Sequence, residues 1–180
     1  APVLLALGAG VVLASRAGER TVPLDDFFTG YRQTALRTGE VLARVEIPDA
    51  PIEALLGAYK VSKRRELDIS AVAAGMMVVL DAEGNVAEAR LAYGGMAATP
   101  KRASHAERFL VGRPWTLETV QQAMAEIDRD FTPLSDQRGS SWYRGEVARN
   151  LLLGFFEETR KKNFVPLSPR HSSTIVLEAK

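Results

Sequence analysis

Four cations crowd one short stretch of this chain. In YKVSKRRELDISAV, residues 59–72, Lys60, Lys63, Arg64 and Arg65 fall within six positions, and Glu66 and Asp68 follow before the chain turns apolar at Ile69. Such a cluster suits a phosphate, a carboxylate or the polar rim of a ring. Lys60, on a strand, would then face a ligand edge, with the charged loop gating access. A charge run is also the ordinary composition of a solvated corner. In TGYRQTAL, residues 29–36, Tyr31 and Arg32 follow a glycine. Arginine can clamp an anion and tyrosine can cover a ring. Equally, the segment can be an ordered turn in which Arg32 bonds loop carbonyls.

Two further segments are rich in special residues. LAYGGMAATPKRA, residues 91–103, places Gly94 and Gly95 at a strand end. Glycine pairs let a backbone approach a ligand or a neighbouring element closely. The pattern is not GxGxxG and lacks a βαβ setting. Amides of a helix starting near Pro100 would suit an anion; a structural turn is the plainer reading. SDQRGSSWYRGEVARNLL, residues 135–152, holds Asp136, Arg138, Gly139, Tyr143 and Arg144 around a helix start. An Asp–Arg pair there would fix the loop against a sheet, with Ser140 or Ser141 as the cap. Taken singly, none of these segments specifies a reaction.

Composition removes several chemistries. The chain has 180 residues, no cysteine and two histidines. Disulfides, thiolate zinc sites and cysteine-held iron–sulfur clusters are excluded within it. A histidine-rich metal site is excluded too. His105, in KRASHAERFL, reads as a solvated residue on an exposed helix turn. With 23 basic and 22 acidic residues the net charge is +1, which argues against a polyanion-coating protein and a nucleic-acid role. The apolar opening, residues 1–15, is broken by Gly8 and Gly10. It falls short of the roughly 20 apolar residues a membrane helix needs, and it has no basic region of the signal-peptide kind. It reads as a chain beginning inside a domain. A domain takes roughly 100–200 residues, so one large or two small domains fit.

The elements that must position these residues follow from periodicity. A short helix is expected over 2–7, with strands at 11–16 and 21–24 and a helical turn from Asp25. Residues 28–40 read as a long ordered loop, and 41–48 alternates as a strand ending at Pro48. Strands follow at 55–62, 69–81 and 86–95. Gly75 marks a bulge or close approach, and residues 82–85 form a hairpin turn. Helices are expected over 100–110, from a Thr116 cap, and over 142–162. The second buries a face of Leu117, Val120, Met124 and Ile127. The third carries stripes of Val147, Leu151 and Phe155, and of Ala148, Leu152 and Phe156. Arg160, Lys161 and Lys162 complement its C-terminal dipole. Strands followed by helices point to an α+β fold.

In chain order, LDDFFTGYRQTAL…GEVLARVEIP, YKVSKRRELDISAV, ARLAYGGMAATPKRA and SDQRGSSWYRGEVARNLL resemble the flavoprotein part of the molybdenum hydroxylases. The resemblance runs through roughly residues 1–160. FFTGYR and the KVSKRRELDI loop look most like the FAD-binding subunit of bacterial xanthine dehydrogenases. It implies that residues 1–50 are the C-terminal part of an FAD-binding α+β domain. Residues 51–162 would be the flavoprotein C-terminal domain, an antiparallel sheet with a small helical bundle, and 163–180 a tail.

By that resemblance FAD is bound jointly with upstream glycine-rich loops, and NAD is the electron acceptor. The 2Fe–2S clusters would sit in an iron–sulfur domain of the same full-length chain. Molybdopterin would sit in a partner subunit of a cytoplasmic hetero-oligomer. Leu42 would lie against the flavin, and Lys60 would reach the polar edge of its ring, where a cation favours the reduced anion. Residues 61–71 would cross the face that a nicotinamide approaches. Arg64 and Asp68 would tune local charge there, Ile69 would contact NAD, and Tyr31 would line the same region. Electrons from hypoxanthine or xanthine oxidation would pass through this part, with no purine chemistry on it. Leu67 stands where an acidic residue is expected in animal relatives, so no thiol-driven switch to an oxidase is expected here. Two rival readings remain at this point: a flavoprotein subunit of carbon monoxide dehydrogenase or another molybdenum hydroxylase, and a cofactor-free interaction module.

Overall fold

The computed structural model describes residues 1–64 and 68–160. Helix α1 (Pro2–Ala6) opens on proline, whose fixed φ and missing N–H suit a first turn. It ends before Gly8, which takes the left-handed φ of 67°. β1 (Gly10–Ser15) and β2 (Gly18–Pro23) form an antiparallel hairpin. A helical turn α2 (Leu24–Phe27) and a small hairpin of β3 (Phe28–Gly30) and β4 (Gln33–Thr34) follow. β5 (Val41–Glu46) then pairs with β1, giving the order β2-β1-β5. Leu5, Val11, Leu13, Val22, Leu24 and Phe27 make the core of this part.

The second sheet is antiparallel throughout, in the order β6-β7-β8-β9. Its strands are β6 (Leu55–Val61), β7 (Val72–Leu80), β8 (Val86–Gly94) and β9 (Lys101–Arg102). β7 is apolar almost throughout because both its faces are covered. Val72, Ala74, Met76 and Val78 face the helices, within the main core. The opposite face receives α1. A Cβ on Gly75 would fall 2.6 Å from the Pro2 carbonyl and the Val3 Cα, so only glycine lets the helix lie this close. Ala92 of β8 joins the N-terminal core on the same face.

Three helices cover the other face: α3 (Ser104–Leu110), α4 (Leu117–Asp130) and α5 (Ser141–Thr159). Thr116 and Ser140 cap the last two, accepting from the Thr119 and Tyr143 amides. Ala148, Leu152, Phe155 and Phe156 of α5 are buried, and Trp115 meets both phenylalanines edge-on at 5.9 and 5.5 Å.

The α+β architecture is as expected, with several local differences. Residues 28–40 are not a plain loop; Phe28 pairs with Thr34 and Gly30 with Gln33. The strand expected from 69 begins at Val72. The helix expected from Pro100 begins at Ser104, because Lys101 and Arg102 pair with Tyr93 and Ala92 as an edge strand. On α4, Leu117 is exposed and Ala123 joins Val120 and Ile127 inside. Gly75 marks a close approach, while the irregularity of β7 lies at Val79/Leu80. Arg160 pairs with Glu157 beside the helix end; Lys161, Lys162 and the 163–180 tail lie outside the described residues.

Candidate functional site

Strand alternation sets where Lys60 points. On β6, Gly57 and Tyr59 face the core, Gly57 against Phe155 and Tyr59 donating to Glu158 at 2.8 Å. Ala58 and Lys60 take the opposite face and are exposed. Lys60 makes no hydrogen bond or ion pair among the described residues, and its register partner is Ala73. The loop beyond it is organised from both ends. Ser62 donates to the Arg64 carbonyl, and the Asp68 carboxylate accepts from the Arg64 amide at 3.1 Å. Lys63 donates to the Gln137 carbonyl across the molecule. Arg65, Glu66 and Leu67 lie outside the described residues. Asp68 thus ties back to Arg64, and Ile69 beyond it is 66% exposed.

Ile69, Ser70 and Ala73 line a cavity of about 370 Å³ with Gly94, Gly95 and Arg144. Arg144, buried near the start of α5, sets this wall. Its guanidinium donates to the carbonyls of Ala71 and Gly95, and to Asp136 at 2.6 Å. One side chain thereby ties the start of β7, the end of β8 and the loop before α5. The Asp136 carboxylate also accepts from the Arg138 amide, which with Arg144 holds its pKa down at about 2. This is the Asp–Arg brace expected for the segment. Gly95 takes φ +81°, and a Cβ there would run into the Ala71 carbonyl.

Leu42 and Tyr31 stand on the N-terminal elements. Leu42 stands on β5, every residue of which is exposed, and pairs with Leu13 of β1. Tyr31 is 70% exposed at the β3–β4 turn. Arg32 there has φ 56°, unusual for a side chain with a Cβ. It bonds no loop carbonyl among the described residues and lies 5.4 Å from the Tyr31 ring centre. Asp68, Ile69 and Lys60 belong to the second sheet and its loop. No hydrogen bond or ion pair joins the two groups among the described residues. An open strand carrying Leu42, and a lysine without a partner among the described residues, are chemically compatible with a flavin, which takes an apolar wall for its ring face and a cation for its carbonyl rim.

His105 is not the solvated residue expected. Its Nδ1 lies 2.8 Å from the buried Asp130 carboxylate, which also accepts from the His105 and Ala106 amides. The anion at this helix start is therefore a side chain from the end of α4. Twenty-five positions of sequence separate the pair, so no local pattern announces it. Glu107 was hidden in the same way: buried, it accepts from the Leu91 amide and pairs with Arg102 at 2.8 Å. Burial pushes its pKa up against that pairing.

Comparison with known proteins places this fold. Residues 57–159 match the CO dehydrogenase flavoprotein C-terminal domain. Residues 1–50 match the FAD binding domain in molybdopterin dehydrogenase. The chain belongs to the flavoprotein family of the molybdenum hydroxylases. It is 34% identical over 157 residues to the glyceraldehyde dehydrogenase medium chain of Sulfolobus acidocaldarius, covering 87% of this chain and 54% of that one. It is 40% identical over 159 residues to the xanthine dehydrogenase/oxidase of Gallus gallus, covering 86% of this chain and 11% of that protein. The crystal structure of cyanide-inactivated Cu,Mo-CO dehydrogenase superposes with a TM-score of 0.77 at 29% identity, over 84% of this chain and 52% of that one. Quinoline 2-oxidoreductase from Pseudomonas putida 86 gives 0.75 at 32% identity, over 87% and 54%. The chain thus spans about half the length of the medium chain and of these two structures. Among the described residues no helix is long and apolar enough to cross a membrane.

Proposed function

We propose that this chain is the FAD-bearing electron-transfer part of a xanthine dehydrogenase, handing electrons that originate at a molybdenum centre to NAD⁺. The observation that carries the reading is Lys60: exposed on the outer face of β6, without a partner among the described residues, and just ahead of the Arg64–Asp68 contact. The 40% identity to the Gallus gallus xanthine dehydrogenase/oxidase supports the purine branch. FAD, when bound, supplies a carrier that takes electrons singly from iron–sulfur clusters and gives them up in pairs.

The rest is the work of this chain's side chains. Leu42 offers the apolar wall, and Lys60 directs its ammonium to the carbonyl rim. Asp68 ties back to the Arg64 amide and would present Ile69 to the nicotinamide side; Tyr31 would border the same approach. The residues divide as 1–50 for the FAD-binding part, 51–162 for the C-terminal domain and 163–180 for a tail. The iron–sulfur domain would lie on the same full-length chain and molybdopterin on a partner subunit, in a cytoplasmic hetero-oligomer.

A second reading changes only the substrate. The Sulfolobus acidocaldarius medium chain and the CO dehydrogenase structure are similar over most of this chain, and nothing on the flavin wall selects a substrate. Steady-state turnover by the natural assembled protein separates the two. NADH formation with xanthine supports the first reading. Turnover with an aldehyde or carbon monoxide and none with xanthine moves the chain to the second.

A further inference from the structure

On the helical side lies a second cationic feature that the flavin reading does not use. His105, Arg108, Phe109, Arg113, Glu126 and Arg129 line a cleft of about 470 Å³ between α3 and α4. Among the arginines of the second sheet and its helices, two of the cleft's charges are set apart. Between residues 86 and 160, every other described arginine has a carboxylate partner: Arg90, Arg102, Arg129, Arg138, Arg144, Arg149 and Arg160. Arg108 and Arg113 have none among the described residues.

Both are nonetheless held in place. Arg108 donates through Nε to the Ser104 carbonyl at 3.0 Å. Arg113 donates to the Phe109 carbonyl and lies 4.1 Å from the Phe109 ring centre. Each spends a small part of its five N–H donors on these contacts. His105 is oriented from behind by the buried Asp130, which fixes its Nδ1 and two adjacent amides. Glu126 is engaged by Arg129 at 2.7 Å. Among the lining side chains, three arginines against one glutamate leave a surplus of two positive charges, set against the buried Asp130 behind His105 and carried by guanidinium groups whose ordering cost is partly met.

We propose that this cleft binds a multiply charged phosphoryl group. Planar, pre-oriented guanidinium forks match phosphate oxygens in pairs, and two arginines without a carboxylate partner among the described residues match a phosphate dianion better than a single carboxylate. The group can be free phosphate or pyrophosphate, or the terminal phosphate of a nucleotide. The inference does not rest on the flavin reading.

Isothermal titration of the natural assembled protein, kept saturated with NAD⁺ so that its acceptor site is filled, with inorganic pyrophosphate, and separately with ADP, tests it. The expected result is one saturable site that weakens with salt and loses at least tenfold affinity in R108Q/R113Q. Arg160→Gln, on a carboxylate-paired arginine elsewhere, should leave affinity unchanged. Equal affinity for both probes identifies the free phosphoryl group as the ligand; much tighter ADP binding identifies a nucleotide. Both outcomes support the proposal. Three outcomes overturn it: no saturable binding, binding that R108Q/R113Q leaves intact, or binding that appears only once partner subunits are stripped away. The last would make the cleft a docking face for an acidic protein surface. The visible spectrum of the variant reads out the flavin separately, so failure here leaves that reading untouched.

Discussion

At the residue scale, Lys60 and Asp136 show two ways a charge is used. Lys60 is exposed and unpartnered among the described residues, so its charge is available to a ligand. On the proposed function a cation at the flavin rim favours the reduced, more negative ring. Lys60→Met should therefore retain flavin while its midpoint potential falls by about 30 mV, equivalent to about 1.4 kcal/mol for a two-electron couple. Spectroelectrochemical titration of the natural protein checks this, and an unchanged potential removes Lys60 from the site.

Asp136 is the opposite case, with its charge committed to structure. Its pKa is held at about 2, against an ordinary 3.8, by the Arg138 amide and the Arg144 guanidinium. A depressed carboxylate stabilises the fold above its unfolded pKa and loses that contribution as pH falls toward the folded one. Asp136→Asn should melt below the parent at neutral pH, and the gap should narrow between pH 3.8 and about 2. Melting curves across that range decide it; a constant gap would mean the carboxylate's charge is not what matters. The Asp136–Arg144 brace was legible because the two residues lie eight positions apart around a helix start. His105 was misread because its partner Asp130 arrives from another helix, and local polarity carries no trace of a partner that remote.

At the element scale, glycine positions record how closely layers approach. β7 runs under α1 at Gly75, where a Cβ would sit 2.6 Å from backbone atoms of Pro2 and Val3. Backbone cannot rotate aside as a side chain can. Gly75→Ala should cost roughly 1–3 kcal/mol, the range for overpacking a filled interior. Gly154, in the middle of α5, has nothing within 4 Å of its missing Cβ. There the same substitution should stabilise by roughly 0.5–1 kcal/mol, since alanine restricts the unfolded chain and favours helix. Denaturant unfolding of the two variants side by side tests the contrast, and two shifts of the same sign would contradict it.

The long elements were readable for a physical reason. β7, β8, α4 and α5 each bury enough side chains for periodicity to show. The short ones were not. β3 and β4 are three and two residues long, and β9 exists only because Lys101 and Arg102 lie beside the end of β8. Partners at that range leave no repeat in the sequence. The same holds for α3: Pro100 suggested a helix start, but pairing with β8 holds the next two residues extended.

At the scale of the whole molecule, two sheets meet through one short helix. α1 fills the outer face of β7 and β8, while α3, α4 and α5 fill the inner face. This leaves β5 exposed along its length, with Leu42 on it, and leaves Lys60 exposed near the end of β6. The family architecture was visible in four motifs in one order. The site was visible only in part, because its two halves stand on different elements and no contact within the described residues declares them one site. The ligand that would join them is what remains to be measured.

The most direct measurement is the visible absorption spectrum of the natural assembled protein, taken anaerobically, before and after xanthine and then after NAD⁺. An electron-transfer flavoprotein of the xanthine dehydrogenase kind should show a bound-flavin spectrum that bleaches with xanthine and recovers with NAD⁺. A flavin that xanthine leaves oxidised, or a protein with no flavin band, would contradict it.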